Sequence, residues 1–231
     1  MIEMGDEDVP VHPAATVVLV RDSRQGLEAL LVQRNSALRH MGGMWVFPGG
    51  RVDPADFAQD SGDEYTAAVN AAIRETREEA GLTIDAQQLH FFSHWTTPEG
   101  AKRRYSTWFF LALLEDGQEV IVDGQEIAHH RWVRPEVALA ELADSTHPFT
   151  LTPPTYVSLV DLLDCQRCTD AHSRVTTRDA FYFAPRMVSV EGGICFLYEG
   201  DAGYDAASLD CGGTQHRTYM IDNKLEYICQ C

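Results

Sequence analysis

Residues 62–80 constrain the fold of this chain more than any other stretch. They read as one helix, opened by a capping box at Ser61-x-x-Glu64 and closed by Gly81. Ala67, Ala68, Ala71 and Ala72 give it one face of small side chains, which lets the helix lie close against whatever is beneath. Its second half carries Glu75, Glu78 and Glu79, spaced i, i+3, i+4. At about 100° per residue the three fall within an arc of about 100°. Glu75 and Glu79 repel as an i, i+4 pair, at a cost of roughly a few tenths of a kcal/mol, and the macrodipole disfavours anions in this half of the helix. Only Arg74 offers Glu78 an i, i+4 partner. Carboxylates gathered against local preference suit a hard cation such as Mg2+ or Mn2+, which prefers oxygen ligands. An acidic stripe on a solvated helix has the same spacing, so the pattern alone leaves both readings open.

Strand signals surround this helix. Residues 14–20 and 27–33 are apolar runs joined by a turn at 22–26, which predicts a hairpin. A short strand in MWVFP leads to Gly49-Gly50, and a polar loop follows over 51–62. Further strands are expected at 82–84, 89–95, 104–114 and 126–133, then a short helix from Pro135 to 143. Thr152-Pro153-Pro154 opens a last helix to about 167, and strands alternate with turns over 171–231: FYFAPRMVSV, ICFLYEG, HRTYMID and KLEYICQ. Mixed strands around one long helix predict an α/β fold with a mixed sheet. The expected organisation is a disordered acidic tail over 1–12, a domain over 13–150, and a C-terminal helix and β-rich extension over 151–231 packed on it.

Composition narrows the function. With 231 residues the chain is one large domain or one domain with an elaboration. Its 18 Lys and Arg against 35 Asp and Glu leave a net charge of −17, which argues against non-specific binding to nucleic acid or an anionic membrane. A phosphate-bearing ligand must therefore be met by local arginines or metal ions. No run approaches the ~18 apolar residues of a membrane span. The acidic start is unlike a signal peptide, and YICQC is neither a peroxisomal tripeptide nor a prenylation box. A soluble cytoplasmic protein is the expectation. Six cysteines sit late, among them Cys165-x-x-Cys168 and Cys229-x-Cys231. Such pairs suit zinc or redox chemistry, but the helical pattern around the first and the lack of a second C-x-x-C favour reduced thiols without metal.

RETREEAGL, residues 74–82, resembles the R-E-U-x-E-E-x-G-U core of the Nudix box (U being a bulky aliphatic), and FPGG ends at Gly50 where the box has its upstream glycine. The resemblance implies a Nudix-type α/β/α sandwich with a mixed sheet, and hydrolysis of a nucleoside diphosphate linked to another moiety with Mg2+ or Mn2+ as cofactor. Matched position by position, it makes Glu78 and Glu79 the main metal ligands and Glu75 a third ligand or base-orienting carboxylate. It makes Arg74 the arginine that braces them, and Gly49-Gly50 the glycines bordering the metal site. Three departures are definite. Arg74 stands 24 residues after Gly50, ten more than in the usual box; Thr66 stands where a glutamate is usual, with Glu64 the nearest substitute; and Thr76 replaces an aliphatic.

LLVQRNSALRHMGGMWVFPGG, residues 30–50, resembles the signature that precedes the box in coenzyme A diphosphatases: Leu30, Leu31, Arg34, Arg39, Gly43 and Phe47 to Gly50 fall in register, while Val32 and Asn35 depart from it. The insertion and FPGGRVDPAD look most like the peroxisomal acyl-coenzyme A diphosphatase branch and its bacterial relatives. Coenzyme A carries a diphosphate and a 3′-phosphate, which planar guanidinium groups hold well. Arg34 and Arg39 are the candidates, with Gly50 and Arg51 beside them and Lys102, Arg103 and Arg104 as a second patch. Glu126 precedes a W-V strand, as does an extra ligand or base in some relatives. Ser93, Thr96, Thr97 and Tyr105 are candidates to line the pocket. The expected products from coenzyme A are 4′-phosphopantetheine and adenosine 3′,5′-bisphosphate. Two alternatives stand beside this: the same chemistry on ADP-ribose, a dinucleotide or a nucleotide sugar, and a non-catalytic Nudix-fold ligand sensor. The three intact glutamates argue against the sensor. For the C-terminal extension three roles stay open: covering the active site, holding an acyl chain, or forming a homodimer contact.

Overall fold

The computed structural model describes residues 9–57, 62–114, 117–144, 149–222 and 224–230. The expected hairpin is present as β1 (Val11–Ser23) and β2 (Gly26–Arg34), paired antiparallel. Then come β3 (Trp45–Val46), β4 (Gly49–Arg51), the long helix α1 (Glu64–Ala80), β5 (His90–Thr96), β6 (Arg104–Leu113), β7 (Ile127–Val133) and α2 (Pro135–Ala143). The C-terminal part adds α3 (Pro153–Asp161), α4 (Cys168–Thr176), β8 (Phe181–Phe183), β9 (Arg186–Val190), β10 (Gly193–Leu197), β11 (His216–Ile221) and β12 (Lys224–Cys229). Among the described residues, an eight-stranded sheet runs β3-β2-β1-β6-β5-β8, with β4 also on β1 and β7 also on β2, and a second sheet runs β12-β11-β10-β9. The main sheet is mixed: β1 pairs β6, and β5 pairs β8, in parallel.

Strand alternation sends side chains to two faces. Ala15, Val17, Leu19, Leu30, Val32, Phe110 and Ala112 meet the alanines of α1 in one core. Val18, Val20, Ala29, Leu31, Trp95, Phe109 and Leu111 face the other way, toward α2, α3, α4 and the second sheet. The sandwich implied by the resemblance is thus the observed fold.

Several local expectations are corrected. Residues 11–12 are strand, not tail, because Val11 and His12 pair with Arg104 and Tyr105; residues 1–8 lie outside the described residues. Ser61 lies outside them too, and Asp63 caps α1 instead. Residues 82–84 form no strand: the Gln118 side chain takes both the Thr83 N–H and the Thr83 carbonyl, in place of a ladder partner. The helix expected to 167 ends at Asp161, and α4 begins afresh at Cys168, whose N–H donates to Asp22 Oδ1 at 2.8 Å. Cys165 and Cys168 therefore share no helix, and both are buried. FYFAPRMVSV is two strands in two sheets, broken at Ala184-Pro185, where proline can donate nothing to a ladder.

Candidate active site

Both ends of α1 are fixed. The Asp63 carboxylate accepts from the Thr66 N–H at 3.0 Å and from its hydroxyl at 2.8 Å. Gly81 closes the helix in the left-handed region, φ 68°, and its N–H donates to the Arg77 carbonyl. The small face seats α1 against β1 and β4, and this brings two carboxylates onto the Gly49-Gly50 backbone. The Gly49 N–H donates to Glu79 Oε2 at 2.9 Å. A side chain on Gly50 would overlap the Glu75 carboxylate, and one on Gly49 would overlap the backbone of Ala15 and Thr16. Close approach requires glycine at Gly50, and at Gly49 close approach acts together with a positive φ of 157°.

Arg74 is the hub. It holds Asp56 by two bonds, Nε to Oδ1 at 3.1 Å and Nη2 to Oδ2 at 2.8 Å, and donates to Glu75 at 2.8 Å, Glu78 at 3.1 Å and the Arg51 carbonyl at 2.9 Å. Burial raises the Asp56 pKa, but the Arg74 hydrogen bonds, the Asp53 N–H and the Arg74 charge together outweigh it and leave the carboxyl below its ordinary value. Sequence reasoning missed Asp56 and offered Glu64 in its place; Glu64 instead accepts from the Trp108 indole N–H at 3.2 Å. The signal was the Asp53/Asp56 spacing after Gly49-Gly50: the Asp53 N–H donates to Asp56 Oδ2 and so presents it to Arg74.

The remaining carboxylates are crowded. Glu79 is buried, and burial pushes its pKa up to about 8; the charges of Glu75 and Glu126 push the same way, against the Gly49 N–H and Arg34. Burial also raises Glu75, with Arg74 opposing and Glu78 and Glu126 adding to the rise. Arg34 sits between two acids, 2.6 Å from Glu126 Oε1 and 3.9 Å from Glu79 Oε1. Among the described residues no three Asp, Glu, His or Cys side chains are drawn into a ready-made cation site. The cause is visible: the Glu78 side chain is 60% exposed and tied to Arg74, while Arg34 supplies positive charge between Glu79 and Glu126. The donors nevertheless suit a hard cation. They are all oxygens, and the burial that holds Glu79 far above its ordinary pKa, with the repulsion of Glu75 and Glu126 adding to it, is what a divalent ion would offset.

These groups border a cavity of about 790 Å3 on the sheet face opposite α1. Arg34, Arg39, Gly49, Gly50, Arg51, Glu75 and Glu126 all line it; Glu79 lies behind Gly49, and Arg74 and Glu78 lie outside it. Thr96, Thr97 and Tyr105 line it as expected, whereas Ser93 is buried elsewhere and accepts from the Trp95 indole N–H. Of the second basic patch, Lys102 and Arg103 reach the cavity, and Arg104 turns to the Thr97 carbonyl. The far wall comes from α3, β10 and β11, in the extension for which covering the active site was one of three open roles; the sequence singled out none of its residues for the site.

The chain belongs to the Nudix family: the family's NUDIX domain matches residues 10–152, and the protein is a hydrolase of the diphosphatase kind. Enzymes of this family generally use divalent metals such as Mg2+ or Mn2+. A Mycobacterium tuberculosis protein named "Putative 8-oxo-dGTP diphosphatase 3" is 29% identical over 197 residues, covering 83% of this chain and 79% of that one. The acyl-coenzyme A diphosphatase NUDT19 of Xenopus laevis is 26% identical, over 59% of this chain and 42% of its own length. The human mitochondrial coenzyme A diphosphatase NUDT8 is 44% identical over 82 residues, 34% of this chain and 30% of that one. Among solved structures, a Nudix hydrolase from Alicyclobacillus acidocaldarius superposes with a TM-score of 0.63 at 23% identity, over 71% of this chain and 96% of the other, and shares the fold.

Proposed function

We propose that the protein hydrolyses the diphosphate of coenzyme A or an acyl-coenzyme A. The observation that carries this reading is the charge of the cavity. In a chain of net charge −17, its lining includes Arg34, Arg39, Arg51, Lys102 and Arg103 against the carboxylates of Glu75 and Glu126. Cations concentrated against the protein's overall field suit a ligand with more than one phosphate group. The register of Arg34 and Arg39 ahead of Gly49-Gly50, and the two coenzyme A diphosphatases among the relatives, support the same substrate.

In this reading Glu75, Glu78, Glu79 and the Gly49 backbone hold Mg2+ or Mn2+, with Glu78 released from Arg74. A bound divalent ion would polarise the diphosphate and offset the charge that develops on it. Arg74 and Asp56 keep Glu75 in place. Glu75 or Glu126 accepts the proton of the attacking water, and Arg39, Lys102 and Arg103 hold the substrate's phosphates. Hydrolysis of coenzyme A then gives 4′-phosphopantetheine and adenosine 3′,5′-bisphosphate.

A second reading has one observation behind it. The M. tuberculosis relative matches over more residues than the Nudix domain contains, so the likeness reaches into the C-terminal part, and its name points to an oxidised nucleoside triphosphate. Catalytic efficiency on coenzyme A, dephospho-coenzyme A, ADP-ribose and 8-oxo-dGTP at equal Mg2+ separates the two. Coenzyme A is expected to lead; faster turnover of 8-oxo-dGTP or ADP-ribose overturns the proposal.

A further inference from the structure

The cavity has a floor and a roof of different origin. Its floor is the main sheet, including Trp95 on β5 and Phe109 on β6. Its roof is the C-terminal part: Pro153 and Pro154 open α3, Phe196 and Tyr198 lie on and just after β10, and Met220 lies on β11. Pairing of Phe196 with Thr218 and of Ile194 with Met220 turns these side chains to one face of the second sheet. Floor and roof meet in a continuous aromatic stack. Trp95 lies on Phe183 at 3.9 Å, and both rings meet Tyr198 edge-on, at 5.6 and 5.0 Å.

Thr107, beside Phe109 on β6, also brings a hydroxyl to this floor, but the polar atoms of the aromatic walls are already used. The Trp95 N–H donates to Ser93 Oγ at 3.2 Å, and the Tyr198 hydroxyl donates to Thr218 Oγ1 at 2.9 Å. Phe109, Phe196, Met220 and the two prolines offer no side-chain donor or acceptor. A nucleobase placed against these walls would leave its ring nitrogens and amino groups unpaired, which is costly. A hydrocarbon chain loses nothing.

The geometry points to an apolar subsite in this cavity, roofed by the C-terminal sheet, that takes the acyl or alkyl arm of the diphosphate substrate. The inference rests on the diphosphatase reading and gives the C-terminal part a role in specificity. The adenine half then lies toward the cationic lining, where Arg39, Lys102 and Arg103 can meet its phosphates.

Steady-state kinetics of the full chain in saturating Mg2+, with coenzyme A, acetyl-coenzyme A and hexanoyl-coenzyme A, test it. A fully buried methylene is worth about fourfold in affinity, so kcat/KM is expected to rise about tenfold to a hundredfold from the acetyl to the hexanoyl thioester. Half-buried Met220 is the residue to change. Met220→Trp fills the space and should flatten the rise, and Met220→Gln, similar in shape and milder for folding, should cut it at least threefold. Equal efficiency along the series, or a rise untouched in both variants, overturns the subsite. If no coenzyme A species is turned over, binding of inorganic phosphate against hexyl phosphate by calorimetry decides the subsite alone. Tighter binding of the alkyl ester keeps the subsite while the coenzyme A reading falls; equal binding removes both.

Discussion

Two arginine–carboxylate groups in this molecule are built on opposite plans. In the C-terminal part, Arg217 grips Asp201 through Nε at 2.7 Å and Nη2 at 2.8 Å, and the N–H groups of Gly203 and His216 complete the acid's shell, both at 2.8 Å. One cation meets one anion, and both are buried. At the candidate site a single Arg74 serves Asp56, Glu75 and Glu78, while Glu79 and Glu126 share Arg34. The first plan leaves nothing over. The second leaves negative charge that only a cation from outside can balance. A satisfied pair fixes a structure, and an unsatisfied one is free to do chemistry.

The contrast can be broken most forcefully at the balanced pair. Asp201→Ala strands the Arg217 guanidinium in the interior, and loss of one partner of a buried pair costs about 3–5 kcal/mol. Urea denaturation should show that loss; under about 1 kcal/mol would mean the pair does not hold the second sheet.

The two plans also predict opposite pH responses. Asp201 is held below its ordinary 3.8, burial being outweighed by the Arg217 hydrogen bonds, the Gly203 and His216 N–H groups and the Arg217 charge together, so its stabilisation is present above that pH and lost as the pH falls through the lower folded value. Glu79 is raised from 4.5 to about 8, so its contribution is greatest below 4.5 and lost as the pH rises toward 8. The loss should be on the order of a few kcal/mol. Melting of metal-free protein between pH 5 and 8.5 should show this decline, and Mg2+ should raise the melting point more at pH 8 than at pH 6. Glu79→Gln should flatten the decline. It should also cut turnover by roughly a hundredfold or more at saturating Mg2+ while the protein stays folded. A variant that kept most of its activity would remove Glu79 from the metal site.

Smaller effects sharpen the comparison. If Arg39 reads a ribose phosphate, coenzyme A should exceed dephospho-coenzyme A in kcat/KM by about tenfold to a hundredfold. Arg39→Ala should erase that ratio and leave the metal requirement unchanged. Thr76 is fully buried on α1, and its hydroxyl has no partner among the described residues. Thr76→Val should therefore raise stability by about 1 kcal/mol; a fall would show that the hydroxyl is satisfied in solution.

What the sequence revealed and what it hid divide along one physical line. The β1–β2 hairpin and α1 with its Gly81 stop were legible because short-range periodicity and capping are written in neighbouring residues, whereas Gly49-Gly50, up to thirty positions from the glutamates they border, were placed there by the family resemblance alone. Asp56 was harder to see, since its role depends on Arg74, eighteen positions on. The break between Asp161 and Cys168 was hidden because Asp22 supplies a cap from the other end of the chain. Residues 181–190 looked like one strand because alternation does not say which sheet a strand will join. The cavity roof was illegible for the same reason: Phe196 and Met220 are ordinary core residues until pairing decides what they face.

Strand β8 carries a consequence for how the chain is made. Its three residues pair with Ser93, His94 and Trp95 on the outer edge of β5, so a sheet begun at residue 11 is closed only when residue 183 has been synthesised. Cut at residue 152, where the family's domain stops, the protein would present a bare strand edge beside uncovered Trp95 and Phe109, an invitation to pair with another chain. Expressed alone, that fragment should collect in inclusion bodies, and adding residues 153–231 as a separate polypeptide should recover soluble material.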